Sequence, residues 1–375
     1  MKFSLICLLF LLQELLAQGS LSLAQTKGLP QPYSHRQRVK YSFQPIGRIH
    51  LQLTDSLPKG LLPSFAVFRD GSLSFGDYLD SKVKISSSDG KFVKSISSKG
   101  SGPGETQRLI GHCIDDSGRV WISDYGLNRV SIYDASGALQ ETWSPLNACN
   151  DCYFSTSGRI RVTNNRIYIG IIKAEPNPAE VKTISSLVTA FDFNRRPLAE
   201  YGKPAKNIKD YSVGFDHYEF DLDSSGNLYG AHQYSYDIWK YSPDGKILQR
   251  FNYPVNEYRP ANPQPPMPII PDSDCTKKLR EWYTSITTIG KLEIAGKYLF
   301  ISFANKDRQW ADDFQLRHWH EYLQVFDLNG NCLVDCFELP GQFLCCDHSG
   351  ILYFRETDAP KGTIISKYRF SVIGY

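Results

Sequence analysis

Lys99 to Gly137 reads KGSGPGETQRLIGHCIDDSGRVWISDYGLNRVSIYDASG, and the two marks DDSG (115–118) and DASG (134–137) within it decide the fold. Each mark supplies an Asp that can hold its own turn and a Gly free to take positive φ. β-Branched and aromatic residues flank both. Arg119–Ser123 and Arg129–Tyr133 read as short strands joined by the tight connection DYGLN. Ile110–Ile114 reads as a strand ahead of DDSG, and Leu139–Trp143 as one after DASG. A four-stranded antiparallel unit of this size cannot bury both of its faces, and repetition is the remedy.

The repeat recurs in degenerate form. FAVFRDG (65–71) leads into a strand at 72–76, then Val83–Ile85 and Ser88-Asp89-Gly90. A weaker copy has Ile160–Val162, Asn164-Asn165, Ile167–Ile169 and Val188–Phe193. LDSSG (222–226) is followed by 227–230, IWKY (238–241) and SPDG (242–245). Another copy has Leu292–Gly296, Tyr298–Ser302, Leu323–Asp327 and Asn329-Gly330. The last has DHSG (347–350), 351–354 and Ile364–Phe370. First-turn residues fall near 71, 118, 165, 226, 296 and 350, which makes six units. The expected fold is all-β: a six-bladed β-propeller of four-stranded antiparallel blades. The last unit has little room for its outermost strand, so Arg48–Leu53 is expected to supply it and close the ring.

GPGE (102–105), Gly111, DSG (116–118), Val120-x-Ile122-x-Asp124 and Asn128-Arg129-Val130 together resemble an NHL-type repeat. The chain is similar to exported bacterial six-bladed propellers with NHL-like or TolB-like blades. Thr106 stands where that pattern has an aromatic, and Leu109 where it has Pro. The resemblance implies the architecture over roughly 45–372. Its specific motif covers only the second unit. Members of such families bind proteins, glycans, nucleic acids or small ligands, and a few are enzymes, so the fold does not name the function.

The chain's 375 residues carry 42 Lys+Arg against 39 Asp+Glu, with no polybasic run, so nucleic acid is not an expected partner. Residues 1–24 read as a signal peptide: Lys2, an apolar run Phe3–Leu12, and small residues before a cut after Ala24. The expected product is a periplasmic or extracellular chain with no membrane span after signal removal. It would have an extension at 25–44 and a propeller at 45–375. Eight cysteines follow the signal: Cys113, Cys149, Cys152, Cys275, Cys332, Cys336, Cys345 and Cys346. An even number in an exported chain permits disulfides, and Cys149-Asn150-Asp151-Cys152 reads as a structural one. Two stretches depart from compact blades. Residues 253–286 are Pro-rich and then helical from Ser273, and 303–321 form a long loop bearing Trp310, Phe314 and Trp319.

Candidate site residues come from the inner strands and these loops. His112, His217 and Glu219 should face the channel. Trp310 and Trp319 are candidate ligand anchors. His318 and His320 form a weak metal pair, with Asp312 or Asp313 as a further ligand. DLDSSG (221–226) imitates the start of a calcium loop, but its twelfth position is His232, so it reads as a turn. The leading expectation is a non-enzymatic exported binding or scaffold protein, offering a propeller face to a protein, glycan or small ligand, without a cofactor. The alternative is a metal-assisted hydrolase or lyase with its site on the axis; calcium or zinc enters only there.

Overall fold

The computed structural model describes residues 35–37, 39–52, 64–148, 152–163, 165–175, 183–203, 217–261, 273–313, 319–356 and 363–373. The turn marks behave as their chemistry requires. Asp115 Oδ1 accepts from the amides of Ser117 (2.9 Å) and Arg119 (3.0 Å), and Asp134 Oδ1 does the same for Ser136 and Ala138. Asp223, Asp327 and Asp347 repeat the pattern. The glycine that completes each turn has positive φ, 79° at Gly118 and 94° at Gly137. One short motif therefore ends a strand and starts the next. Asp223 is spent on this turn, which is what the sequence pattern indicates in place of calcium.

Six sheets with antiparallel four-stranded cores result, most built from consecutive strands. Blade 1 is Phe65–Val67, Leu73–Asp77, Lys82–Ser86 and Phe92–Ile96; blade 2 is Leu109–Ile114, Val120–Asp124, Arg129–Tyr133 and Leu139–Trp143. Blade 3 is Ile160–Val162, Ile167–Ile169, Val188–Phe191 and Pro197–Tyr201. Cys152–Phe154, Ile171–Glu175 and Thr183–Ser186 form a small sheet beside it. Blade 4 is Tyr218–Leu222, Leu228–His232, Ile238–Tyr241 and Ile247–Phe251. Blade 5 is Thr287–Ala295, Tyr298–Lys306, Trp319–Asp327 and Asn331–Glu338, with His35–Arg36 added in parallel at its edge. Blade 6 is Gly341–Cys346, Ile351–Glu356 and Thr363–Ile373, and its outer strand comes from the other end of the chain. Lys40–Leu51 pairs antiparallel with Thr363–Ile373, from Lys40↔Ile373 to Leu51↔Thr363. The closing strand is longer than the sequence suggests and starts earlier.

Burial shows why one sheet cannot stand alone. The buried apolar residues fall into clusters that each straddle two neighbouring blades. Val83, Ile85 and Ile96 of blade 1 pack with Leu109, Val120 and Ile122 of blade 2. The next clusters join blades 2 and 3, 3 and 4, 4 and 5, and 5 and 6. A last one joins Ile49, Leu344 and Ile365 of blade 6 to Phe65, Leu73 and Phe75 of blade 1. The core is a closed ring of interfaces, each hidden from water only because its neighbour is present. Where blades 2 and 3 meet, backbone approaches backbone: a Cβ on Gly111 would lie 2.1 Å from the carbonyl oxygen of Gly158.

The insertion between blades 4 and 5 follows the same logic. Helix α1 (Ser273–Ser285) buries Trp282, and Ile286 just beyond it, against Tyr234 and Ala261, with Leu279 and Tyr283 alongside. The second strand of blade 5 continues to Lys306, paired with Trp319, and the short helix α2 (Arg308–Asp313) follows it. Cys152 is disulfide-bonded, and Cys113, Cys332, Cys336, Cys345 and Cys346 are free. No helix among the described residues is long and apolar enough to cross a membrane.

Candidate functional site

Side chains at alternate positions of each blade's first strand turn toward the centre. On three successive blades that alternation places charges: Arg159 and Arg161, then Glu219 and Asp221, then Lys291 and Glu293. They meet as two stacked layers. In the lower, Arg161 Nε binds Asp221 Oδ1 at 2.9 Å, while Arg161 Nη2 lies 3.0 Å from both oxygens of Glu293. Asp221 Oδ2 also accepts the Ile294 amide at 2.8 Å. In the upper layer Arg159 contacts Glu219 at 3.1 Å, and its Nη2 reaches down to Glu293 at 2.7 Å. The same guanidinium donates to the carbonyls of Phe220 and Leu292. His217 Nε2 is 2.8 Å from Glu219 Oε1. Burial acts to raise the pKa of Glu219, but Lys291, Arg159 and the His217 hydrogen bond outweigh it and hold the carboxyl well below its ordinary range.

Below the lower layer the channel widens into a funnel of about 510 Å³. All six blades contribute to its wall. Phe65–Asp70 and Cys113–Gly118 come from blades 1 and 2, Arg161 and Val162 from blade 3. Asp221, then Glu293 and Ile294, then Cys345–His348 complete it. These residues lie at the C-terminal ends of the inner strands, so every inner strand runs toward the same mouth. Burial pushes the Cys113 thiol up to about 12 and those of Cys345 and Cys346 well above the ordinary range, so none is a thiolate near neutral pH.

The comparisons with known proteins agree with this radial order. A family model described as a 6-bladed beta-propeller matches residues 49–158. The crystal structure of a DUF4221 family member from Bacteroides vulgatus superposes with a TM-score of 0.63 at 10% identity, covering 90% of this chain and 100% of that one. The chain is a six-bladed β-propeller. A candidate exported protein from Bacteroides fragilis gives 0.55 at 13% identity, over 90% of the propeller chain and 98% of its own. At these identities the likeness is one of fold. No curated protein sequence matches the chain.

The sequence candidates fall in three places on the propeller. His217 and Glu219 are together in the upper layer. His112 is apart from them, buried between two serines: Ser64 Oγ lies 2.5 Å from Nδ1 and Ser74 Oγ 2.8 Å from Nε2. Burial lowers its pKa to about 3, helped by the fields of Arg161 and Lys291, so the ring is neutral. Trp310 of α2 and Trp319 of blade 5 meet Tyr283 of α1, and their rings surround an internal cation. Lys306 Nζ is 4.3 Å from the centre of the Trp319 ring, 5.2 Å from Trp310 and 5.1 Å from Tyr283. His320 Nδ1 is 3.2 Å from Glu338 at the exposed edge of the blade; His318 lies outside the described residues. Among the described residues, no three His, Cys, Asp or Glu side chains are grouped to hold a metal.

Arg159, Arg161, Asp221, Lys291 and Glu293 are absent from the sequence candidates. Their signal is present all the same. RxR, ExD and KxE occupy the inner strand of three consecutive blades, and charge at alternate positions of a buried strand points to a shared polar axis.

Proposed function

We propose that this propeller is an exported binding protein that takes a small polar ligand, or a side chain offered by a partner, into the axial funnel. One observation carries the reading: a cavity of about 510 Å³ is walled by the ends of all six inner strands. That size suits a compact ligand, and a rigid multi-blade wall is preorganised to hold one. The polar groups at its floor are committed to each other. Arg161 is held by Asp221 and Glu293, so the three shape and charge the floor without offering an unpaired base. Asp70, Asp115, Asp116 and Asp347 at the rim outnumber Arg69, which favours ligands that are cationic or rich in hydroxyls.

Export rests on the signal-like residues 1–24 and on the likeness to the Bacteroides fragilis protein. The disulfide of Cys152 suits an oxidising compartment, and Cys149 is its natural partner in the CxxC. The test is a thermal-shift and equilibrium-dialysis survey of small amines, sugars and amino acids against the mature chain and Val67→Trp, whose indole fills the funnel. Compounds that bind the native chain and are lost from the variant support the reading. Binding that is indifferent to the filled funnel, or no binding at all, refutes it.

A further inference from the structure

We propose that the opposite mouth of the channel is a second binding site, one that takes a carboxylate group between the Lys291 ammonium and the His217 imidazole. This site goes beyond the funnel reading and does not depend on it.

The backbone singles out Lys291. Blade 5's inner strand pairs regularly except between Ile289 and Leu292, where the register shifts and leaves Gly290 and Lys291 out of the ladder. Such a bulge re-aims a side chain, and next to a channel it does so at the functional end of a strand. The bulge is held deliberately. The Lys291 amide donates to Ser302 Oγ at 3.0 Å. A Cβ at Gly290 would meet that hydroxyl at 2.7 Å and Glu321 Oε1 at 3.1 Å, so a larger residue beside the lysine would displace the hydroxyl that holds the bulge.

The ammonium that the bulge presents has donors to spare. Its ion-pair partner among the described residues is Glu219 Oε1 at 3.6 Å, beyond hydrogen-bond reach. Glu219 is already served by His217 at 2.8 Å and Arg159 at 3.1 Å. One carboxylate therefore faces two full cations and an imidazole. Burial differs too: Glu219 and Arg159 are sealed, while Lys291 and His217 keep 18% and 26% of their side chains in water. The two accessible members of the upper layer are Lys291, whose ammonium donates to an incoming anion, and His217, whose Nδ1 donates when the ring carries a second proton, because its Nε2–H is given to Glu219.

The charges of the surrounding groups agree. His112, facing Lys291 from blade 2, is neutral. Glu321, facing it from the third strand of blade 5, is pushed up by burial to about 7, despite the help that Ser302, the Phe343 amide and both lysines give its anion. Counting Lys291 and Arg159 against Glu219, the upper layer has one positive charge in excess; counting Arg161 against Asp221 and Glu293, the lower has one negative. The axis is polar, and its Lys291 end attracts anions. An ammonium beside an imidazolium matches the two oxygens of a carboxylate; a phosphate dianion calls for more cationic donors than this mouth holds.

The test is a calorimetric titration of the mature chain with succinate, and with butane-1,4-diol as its uncharged counterpart. Saturable binding of succinate and none of the diol is expected. Lys291→Met should weaken succinate at least tenfold, and His217→Gln should weaken it too. Lys291→Arg should stay within a few-fold of the native chain, which guards against a folding defect in the methionine variant. Val67→Trp, which fills the funnel at the other mouth, should leave succinate binding unchanged, so this site and the funnel can fail separately. Equal binding of succinate and diol, no saturable succinate binding, or an unchanged affinity in Lys291→Met overturns the proposal.

Discussion

Lys306 Nζ lies 4.3 Å from the centre of the Trp319 ring, inside a buried enclosure of three aromatic residues whose facing carboxyl belongs to Glu321. Burial drives both groups toward neutrality. The lysine comes down to about 7, with Glu321 pulling weakly the other way, and the glutamate goes up to about 7. Between the ordinary carboxylate value and about 7, the folded chain holds a proton on Glu321 that the unfolded chain has lost, so stability falls as pH rises. Between about 7 and the ordinary lysine value, the unfolded chain holds a proton that folded Lys306 does not, so stability rises with pH. The expected outcome is a dip in stability centred near neutral pH. His112 adds an opposite slope below the ordinary histidine range, so the dip is read as the difference between the native chain and the double variant Lys306→Met, Glu321→Gln, by urea unfolding from pH 5 to pH 10. A difference that shows no minimum near neutral pH contradicts the account.

Arg159 is buried between Glu219 and Glu293 and donates to two carbonyls as well. Replacing it with Met takes one cation from each of two buried carboxylates, leaving Glu219 to Lys291 and His217 and Glu293 to Arg161, and breaking such a buried pair typically costs about 3–5 kcal/mol. Arg69 makes an equally short pair with Asp116 at the exposed rim of the funnel. Its loss should change stability by less than about 1 kcal/mol. Denaturant midpoints of Arg159→Met and Arg69→Ala separate the two cases, and similar losses in both would show that the axial network is no more than surface decoration.

The inner strands explain how much of this was legible. Asp-x-(Ser or Asn)-Gly marks fix turns through local hydrogen bonds, so the six units and their strands follow from neighbouring residues, and the N-terminal closure follows from the outer strand that the last unit lacks. His217 and Glu219 are two apart on one strand, and their pairing is visible for the same reason. The axial network is different. Arg159 and Glu293 are far apart in sequence, and only ring geometry brings them to 2.7 Å. Trp310 and Trp319 look like free anchors because nothing in the sequence reveals that Lys306 fills the space between them. Lys291 is hidden further, since a bulge changes the direction of one side chain without leaving a compositional mark.

His112 offers a test by titration. Its ring is neutral, flanked by Ser64 and Ser74, and its pKa is lowered to about 3. Because the folded value is depressed, the contribution to stability is complete above the ordinary histidine range and is lost as pH falls from there toward about 3. The loss should be on the order of a few kcal/mol. Proton NMR should show one histidine whose ring signals stay fixed from pH 8 to pH 5. His112→Gln should remove part of the acid sensitivity, and a His112 ring that titrates near pH 6 would defeat this reading.

Gly111 tests the contact between blades. It sits on the inner strand of blade 2, where an added Cβ would lie 2.1 Å from Gly158 O and 2.7 Å from Gly158 C. Both neighbours are backbone, so no flexible side chain can give way. Gly158 itself has φ of 57° and is equally closed in by Ile110. Gly111→Ala should push blades 2 and 3 apart and cost at least about 3 kcal/mol, within the range for overpacked sites and beyond it if the interface opens. Gly118→Ala is the control: nothing lies within 4 Å of its Cβ, so only its φ of 79° resists, at about 1 kcal/mol. Comparable melting temperatures for the two variants would mean that the blade interface yields more easily than its backbone contacts imply.

The N-terminal strand closes the ring, and its aromatic contacts set the strength of that closure. Phe43 stacks on Tyr368 of the partner strand at 4.6 Å between ring centres, and meets Phe337 of blade 5 at 4.8 Å and Phe354 of blade 6 at 5.8 Å. It therefore joins the N-terminal strand to the two blades nearest the C-terminus in sequence. Without Lys40–Leu51, the strand Thr363–Ile373 becomes an open edge with its hydrogen-bonding groups exposed, and blade 1 loses Ile49 and Leu51 from its shared core. Phe43→Ala should cost about 2–3 kcal/mol, less than a fully buried phenylalanine because the ring is only half-buried. The unfolding rate should rise more than the folding rate falls, since closure of the longest loop in the chain comes late. Stopped-flow measurements on Phe43→Ala read this directly. A variant that folds slowly but unfolds at the native rate would place closure at the start of folding and reverse the order argued here.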